Sequence, residues 1–154
     1  MKKYLSMFLI FCLISIFAAA CAAEGASETP ESLASVLESV DVDLTALSST
    51  MVYAEIYNMM VSPKDYLGKT VKMSGPYYAS YYDETGRDYH YVIVEDATAC
   101  CQQGLEFIWN GGHIYPDEYP KDNTKIEVTG IFESYEELGH TYYCLAVDDI
   151  TILK

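Results

Sequence analysis

A chain of 154 residues has room for one domain, and with nine basic against 23 acidic side chains it carries a formal charge of −14. A charge of that sign repels phosphate backbones and anionic headgroups, so no nucleic acid is expected as a partner; the acids suit solubility, or attraction of cations and basic partners. No CxxC, no GxSxG and no phosphate-cradling glycine loop occurs, so the expectation is a protein without catalytic activity.

Met1-Lys2-Lys3 leads into an uncharged run from Tyr4 to Ala20, and Cys21 follows directly behind three alanines. A basic start, an apolar stretch shorter than the roughly 20 residues that cross a bilayer, and small residues before a cut site read as a secretory signal over residues 1–20. The segment resembles a bacterial lipoprotein signal peptide with Ala18-Ala19-Ala20-Cys21 as its lipobox, Ala18 standing where Leu is usual. That resemblance implies cleavage before Cys21 and a diacylglyceryl group on its sulfur. The membrane then becomes a partner through the N-terminal lipid, and the protein sits on the extracytoplasmic face of a bacterial cell envelope. An ordinary secreted protein cut near Ala20 or Ala23 is the alternative. Either cut discards Cys12 and two lysines and no acid, so −14 becomes −16.

Residues 21–42 form the expected linker behind the lipidated cysteine. Ala22 to Glu31 is rich in Ala, Ser and Glu and holds no large apolar side chain, so it cannot offset its ordering entropy and reads as a disordered tether. Leu33, Val36, Leu37 and Val40 fall at helical spacing, enough for a turn or two. The folded domain is expected over residues 43–154. Val52, Ile56, Met59 and Met60 share one helical face, and Pro63 and Gly68 stop that pattern.

From Lys69 the period changes to two. "KTVKMSGPY" (69–77) and "TKIEVTGIF" (124–132) alternate, with Val71 and Met73 inward in the first and Ile126 and Val128 in the second. Each carries a mid-strand glycine, Gly75 or Gly130, which points to sharp coiling or close backbone approach at a barrel corner. "DETGR" (83–87) separates a Tyr-rich strand from "YHYVIV", with Gly86 able to supply a positive φ. "LEFIW" puts Leu105, Phe107 and Trp109 on one face, and "NGGHIYPDEYPKDN" has too many interruptions for a regular element. A second hairpin, "SYEELGHTYY", leads into the last strand. There Tyr143, Leu145 and Val147 face one way, and a bulge at Asp148-Asp149 lets Ile150 and Ile152 rejoin them. The expected fold is mainly β: a five-stranded Greek-key OB-like barrel behind a short helix and a disordered N-terminal tether. A small β-sandwich is the runner-up.

"DYLGKTVKMSG" (65–75), "YVIVEDATACCQQGLEFIW" (91–109) and "KIEVTGIFESYEELGHTYYCL" (125–145) together resemble the OB-like domain of a group of small bacterial lipoproteins. More faintly they resemble the extracytoplasmic domain of permease-associated membrane proteins in which a paired cysteine follows a strand. The likeness runs from about Asp43 to Lys154 and implies an OB-like barrel outside the cytoplasm. The permease-linked group is associated with metal homeostasis.

Cys100 and Cys101 stand side by side in what reads as a loop, and Cys144 is the third cysteine of the mature domain. Neighbouring Cα atoms are about 3.8 Å apart, short of the roughly 4.4 Å that a disulfide needs, so a bond within the pair is disfavoured. One of the pair can bridge to Cys144, or all three can stay reduced. The sharper alternative is metal: Cys100, Cys101 and Cys144 with His140 (or His90 or His113) make a zinc-type donor set, although paired cysteines of structural sites are usually two to four residues apart. No cofactor is required, and Zn²⁺ is the one the residues admit. Glu95, Asp96 and Glu106 lie near the pair in sequence and would raise a thiol pKa, which argues against a reactive nucleophile. The fifteen tyrosines offer a binding platform on the outer barrel face, with Tyr78, Tyr82, Tyr89, Tyr91 and Trp109 as its candidates. The functional expectation is a lipid-anchored extracytoplasmic binding or envelope-assembly module without catalytic activity, with an envelope protein as partner; the alternative is a Cys/His metal-binding envelope protein linked to metal handling.

Overall fold

The computed structural model describes residues 39–96, 98 and 100–154. The signal segment, Cys21, the tether and the helical spacing from Leu33 to Leu37 lie outside the described residues. In chain order the elements are β1 (Val42–Asp43), a 3-10 turn (Leu44–Ala46), α1 (Ser49–Val61), a second 3-10 turn (Pro63–Asp65), β2 (Thr70–Tyr82), β3 (Arg87–Glu95), β4 (Gln102–Trp109), β5 (Lys125–Glu137) and β6 (His140–Ile152).

Strand pairing runs β2–β3–β4–β6–β5 and returns from β5 to β2, so five strands close on themselves. All pairs in the ring are antiparallel except β4 with β6, which is parallel. A closed ring with that one parallel contact is an OB-type Greek-key barrel. The sandwich alternative fails because no pair of separate sheets exists among the described residues. Pairing begins a little before Asp43: Val42 and Asp43 lie parallel to Val71 and Lys72, and Asp41 exchanges two hydrogen bonds with Thr70.

The inward residues of the alternating strands meet as expected. Val71, Met73, Ile126, Val128 and Leu145 are fully buried in one cluster with Phe107, Phe132 and Tyr77. Helix α1 buries Ile56 and Met59 against that cluster, with Val52 and Met60 packed at its margin. Each of the two buried side chains contributes about 1.5–3 kcal/mol of transfer free energy. The helix ends where Pro63 opens the next turn, and the Ser62 amide closes the last turn on the Asn58 carbonyl.

Strand β2 serves two partners. Its first half, Thr70–Pro76, pairs with β5, and its second half, Tyr77–Tyr82, pairs with β3. Gly75 stands at the handover, where a Cβ would come within 2.1 Å of the Ile93 carbonyl oxygen; at Gly130 it would come within 2.4 Å of the Ala146 oxygen. Both mid-strand glycines therefore mark close backbone approach. On β6 the register jumps from Val147 opposite Gly130 to Ile150 opposite Val128, so Asp148 and Asp149 together oppose Thr129 and form the bulge. One expected core residue is corrected: Ile150 packs on the core, but Ile152 is 60% exposed. The strand runs on past the end of the barrel interior, and parity alone does not report where the interior stops.

Candidate functional site

The tyrosines sort by parity along twisted strands. On β2, Tyr77 points inward and is buried, while Tyr78, Ser80 and Tyr82 alternate to the outside. Tyr81 shares the inward parity of Tyr77 yet is exposed, because β2 has by then passed the barrel rim. On β3 the outward positions are Tyr89 and Tyr91, opposite Ser80 and Tyr78 in register. The β5–β6 hairpin then brings Tyr135 and Tyr142, which pair across the strands and stack at 5.6 Å between centroids.

Between these hairpins lies a pocket of about 210 Å³ lined by Tyr82, Tyr89, Tyr91, Tyr135 and Tyr142, with Ser80, Leu138 and the carboxylates of Glu106 and Glu137. Three contacts fix it. The Tyr135 hydroxyl donates to Glu106 Oε2 at 2.8 Å, the Tyr89 hydroxyl donates to Glu137 Oε2, and Arg87 Nη1 pairs with Glu137 Oε1 at 2.9 Å. The Arg87 guanidinium also sits over the Tyr89 ring, 5.0 Å from its centroid. Glu106 is 8% exposed, an outward residue of β4 roofed by the curled hairpin. Burial lifts its carboxyl above the ordinary range, and the Tyr135 hydrogen bond only partly opposes that. Behind it, in register, Cys144 is 2% exposed, and burial with the Glu106 and Glu133 charges pushes its thiol up to about 12. A thiol so placed stays protonated and is no nucleophile.

Of the five expected platform residues, Tyr82, Tyr89 and Tyr91 line this pocket. Tyr78 lies on the same face beside Tyr91 but outside the lining. Trp109 belongs elsewhere: its indole donates to the Asp148 carbonyl at 3.2 Å and stacks on His113 at 3.6 Å between centroids. It joins an aromatic cap made by the loop after β4, where His90 stacks on Tyr119 at 4.0 Å and its Nδ1 shares a hydrogen bond with the Tyr77 hydroxyl at 2.8 Å. Burial holds the His90 pKa below its ordinary value. Glu106, Glu137, Tyr135 and Tyr142 were not anticipated in the site. The one sequence signal for Glu106 is an acid set between Leu105 and Phe107 in a strand whose neighbours on both sides are covered.

The cysteines do not come together as the four-donor set requires. Cys144 lies on β6 beside Glu106, and His140 opens β6 at the hairpin turn. Cys100 and Cys101 are exposed free thiols in the loop between β3 and β4, their Sγ atoms 3.6 Å apart, with Cys100 Sγ 3.4 Å from Asp96 Oδ2. Asp96 organises the loop: its Oδ1 accepts from the Thr98 amide at 3.0 Å, the Thr98 hydroxyl at 2.9 Å and the Cys100 amide at 3.1 Å, while its own amide donates to the Cys101 carbonyl. Burial alone would raise the Asp96 carboxyl, but these hydrogen bonds outweigh it and hold it below its ordinary value. The Cys101 thiol is raised by its hydrogen bond with Cys100 and by the Asp96 charge.

No family model matches the chain, and no curated protein matches it. Among solved structures it is similar to the dimeric N-terminal domain of PriB protein from Thermoanaerobacter tencongensis, at 14% identity and a TM-score of 0.33, over 55% of this chain and 96% of that one. A likeness at that score assigns no ligand to this chain. Net charge alone does not exclude nucleic acid as a partner, and that exclusion is withdrawn. Net charge is a sum over the whole chain and does not register local cations such as Lys121 and Lys125.

Proposed function

We propose that this chain is a lipid-anchored extracytoplasmic binding or envelope-assembly module without catalytic activity, which takes a basic side chain of a partner protein into the tyrosine-lined pocket between its two hairpins. The observation that carries the reading is the pairing of aromatic walls with two carboxylates in one recess. Ring faces attract a cation by about 0.5–1 kcal/mol at exposed sites and about 2 kcal/mol when desolvated. Carboxylates already oriented by tyrosine hydroxyls accept charge-assisted hydrogen bonds with little further ordering. Arg87 is ion-paired with Glu137, and although its charge reaches Glu106, Glu106 has no ion pair among the described residues. An entering ammonium or guanidinium favours ionised Glu106, so affinity falls as pH drops through the raised Glu106 pKa. The signal-like residues 1–20 and Cys21 support the anchored, extracytoplasmic placement, and the resemblance to small lipoproteins agrees with it.

Titration of the folded chain with a short Lys- or Arg-centred peptide, followed by chemical shifts of the pocket tyrosines, is expected to saturate. The double substitution Glu106→Gln with Glu137→Gln abolishes the shifts. Equal response to an uncharged peptide of the same length, or an unaffected double variant, overturns the reading. A parallel titration with a single-stranded oligonucleotide over a salt series addresses what charge alone left open: a log-linear fall of affinity with salt identifies phosphate contacts. Anchoring is checked by native mass spectrometry of protein expressed with its own signal, where Cys21→Ser removes the lipid mass.

A further inference from the structure

We infer that the β3–β4 loop is an exposed, exchangeable site for a thiophilic divalent cation of the zinc class, ligated by Cys100 Sγ, Cys101 Sγ and a carboxylate oxygen of Asp96. Adjacent cysteines in a regular strand point to opposite faces. Here the chain is closed into a tight loop by Asp96, and both sulfurs turn to the same side, within reach of that carboxylate. The three donor atoms lie within 4.8 Å of one another. The spacing suits one ion between them. A tetrahedral ion with bonds of about 2.3 Å to sulfur and about 2.1 Å to oxygen holds its sulfurs about 3.8 Å apart and sulfur about 3.6 Å from oxygen. In the protein these separations are 3.6 Å and 3.4 Å. These two separations need to widen by only a few tenths of an ångström, and the third, from Cys101 Sγ to the Asp96 carboxylate, lies within 4.8 Å, so local adjustment of the loop brings all three onto one ion.

Donor chemistry narrows the ion. Two sulfurs select zinc-like or softer metals over calcium and magnesium, which want oxygen shells. On binding, each thiol releases its proton to solvent as it becomes a thiolate ligand. Three protein donors leave the fourth tetrahedral position outward, to water or to a donor from another molecule, and all three sit on one short surface loop. That arrangement suits a site that loads and unloads a metal, whereas structural zinc sites are closed by four protein ligands. The donor set differs from the one expected from residue types alone, since Asp96 takes the place of Cys144 and His140.

The test is Co²⁺ titration of the full chain under reducing conditions, with a thiol count confirming reduced cysteines, followed by Zn²⁺ displacement. One Co²⁺ per chain is expected, with the thiolate-to-cobalt charge-transfer band and tetrahedral visible spectrum, both removed by one equivalent of Zn²⁺. Cys100→Ser and Cys101→Ser each abolish the band. Asp96→Asn keeps an oxygen for the loop hydrogen bonds and weakens binding by about tenfold or more, while Cys144→Ser and His140→Gln change nothing. A reduced, folded chain that shows no band, a band that survives the double Cys100→Ser, Cys101→Ser change, or one that disappears in Cys144→Ser overturns the inference.

Discussion

The tyrosine pocket and the thiol loop each hold one decisive acid, and the two acids behave in opposite ways. Glu106 is roofed by a hairpin and answered by a single tyrosine hydroxyl, so burial wins and its proton is held more tightly. Asp96 lies at the surface and accepts from two backbone amides and a hydroxyl, so hydrogen bonding wins and its proton leaves more easily. The first site is assembled from all five barrel strands and their hairpins, the second from a few loop residues around one carboxylate. The two places thus differ in construction: long-range curvature that buries a charge, and a local hydrogen-bond hub that keeps one ionised.

The sharpest way to break that contrast is Tyr135→Phe. It leaves the buried Glu106 without its donor and costs about 1–3 kcal/mol at neutral pH, read as a shift in the denaturation midpoint. The loss shrinks in acid. A carboxyl whose folded pKa is raised contributes stability that is complete below the unfolded value and fades as pH rises through the folded one. Next in size, Glu106→Gln removes that fading contribution: thermal melts of the variant are flatter with pH than those of the native chain, converging with it in acid and gaining on it toward neutrality. His90 adds an opposite slope. Its depressed folded pKa means that acidification below the unfolded value near 6.5 favours unfolding, and His90→Gln removes this part of the pH dependence. For the loop, Asp96→Asn keeps an oxygen to accept the loop hydrogen bonds, so the denaturation midpoint moves little. It speeds iodoacetamide alkylation of Cys101 at neutral pH, because the Cys101 thiol, raised first by its hydrogen bond with Cys100, loses the further raising effect of the Asp96 charge. Smallest of all, Tyr82→Ala at the pocket rim leaves the melt unmoved and weakens peptide binding severalfold.

How much of this could be read from the residues follows the same division. Period-two alternation placed Val71, Met73, Ile126, Val128 and Leu145 in one core, and the glycines at 75 and 130 and the acid pair at 148–149 marked where strands crowd or kink. Those are local properties. Alternation also put Tyr82, Tyr89 and Tyr91 on one outer face. It does not report that the β5–β6 hairpin curls back over that face, so it brings neither Tyr135, Tyr142 and Glu137 nor Glu106 to the pocket, and it leaves Trp109 on a face the structure does not give it. Residue type drew Cys144 and His140 toward the cysteine pair, but β4 carries Glu106 and its partner Cys144 four residues along the strand from Gln102. Conversely, the nearby Asp96 was read only as a repelling charge. Its part in turning two neighbouring sulfurs to one side depends on loop closure, which no periodicity encodes.

Because β2 changes partner at its middle, the two hairpins that wall the pocket come from opposite halves of the folded domain, and the last wall, Tyr142, belongs to the final strand. A ribosome-bound or truncated chain stopped before that strand has no recess to offer. A recess built this way exists only once the ring has closed, so loss of the β5–β6 hairpin removes it while the β2–β3 wall can still form.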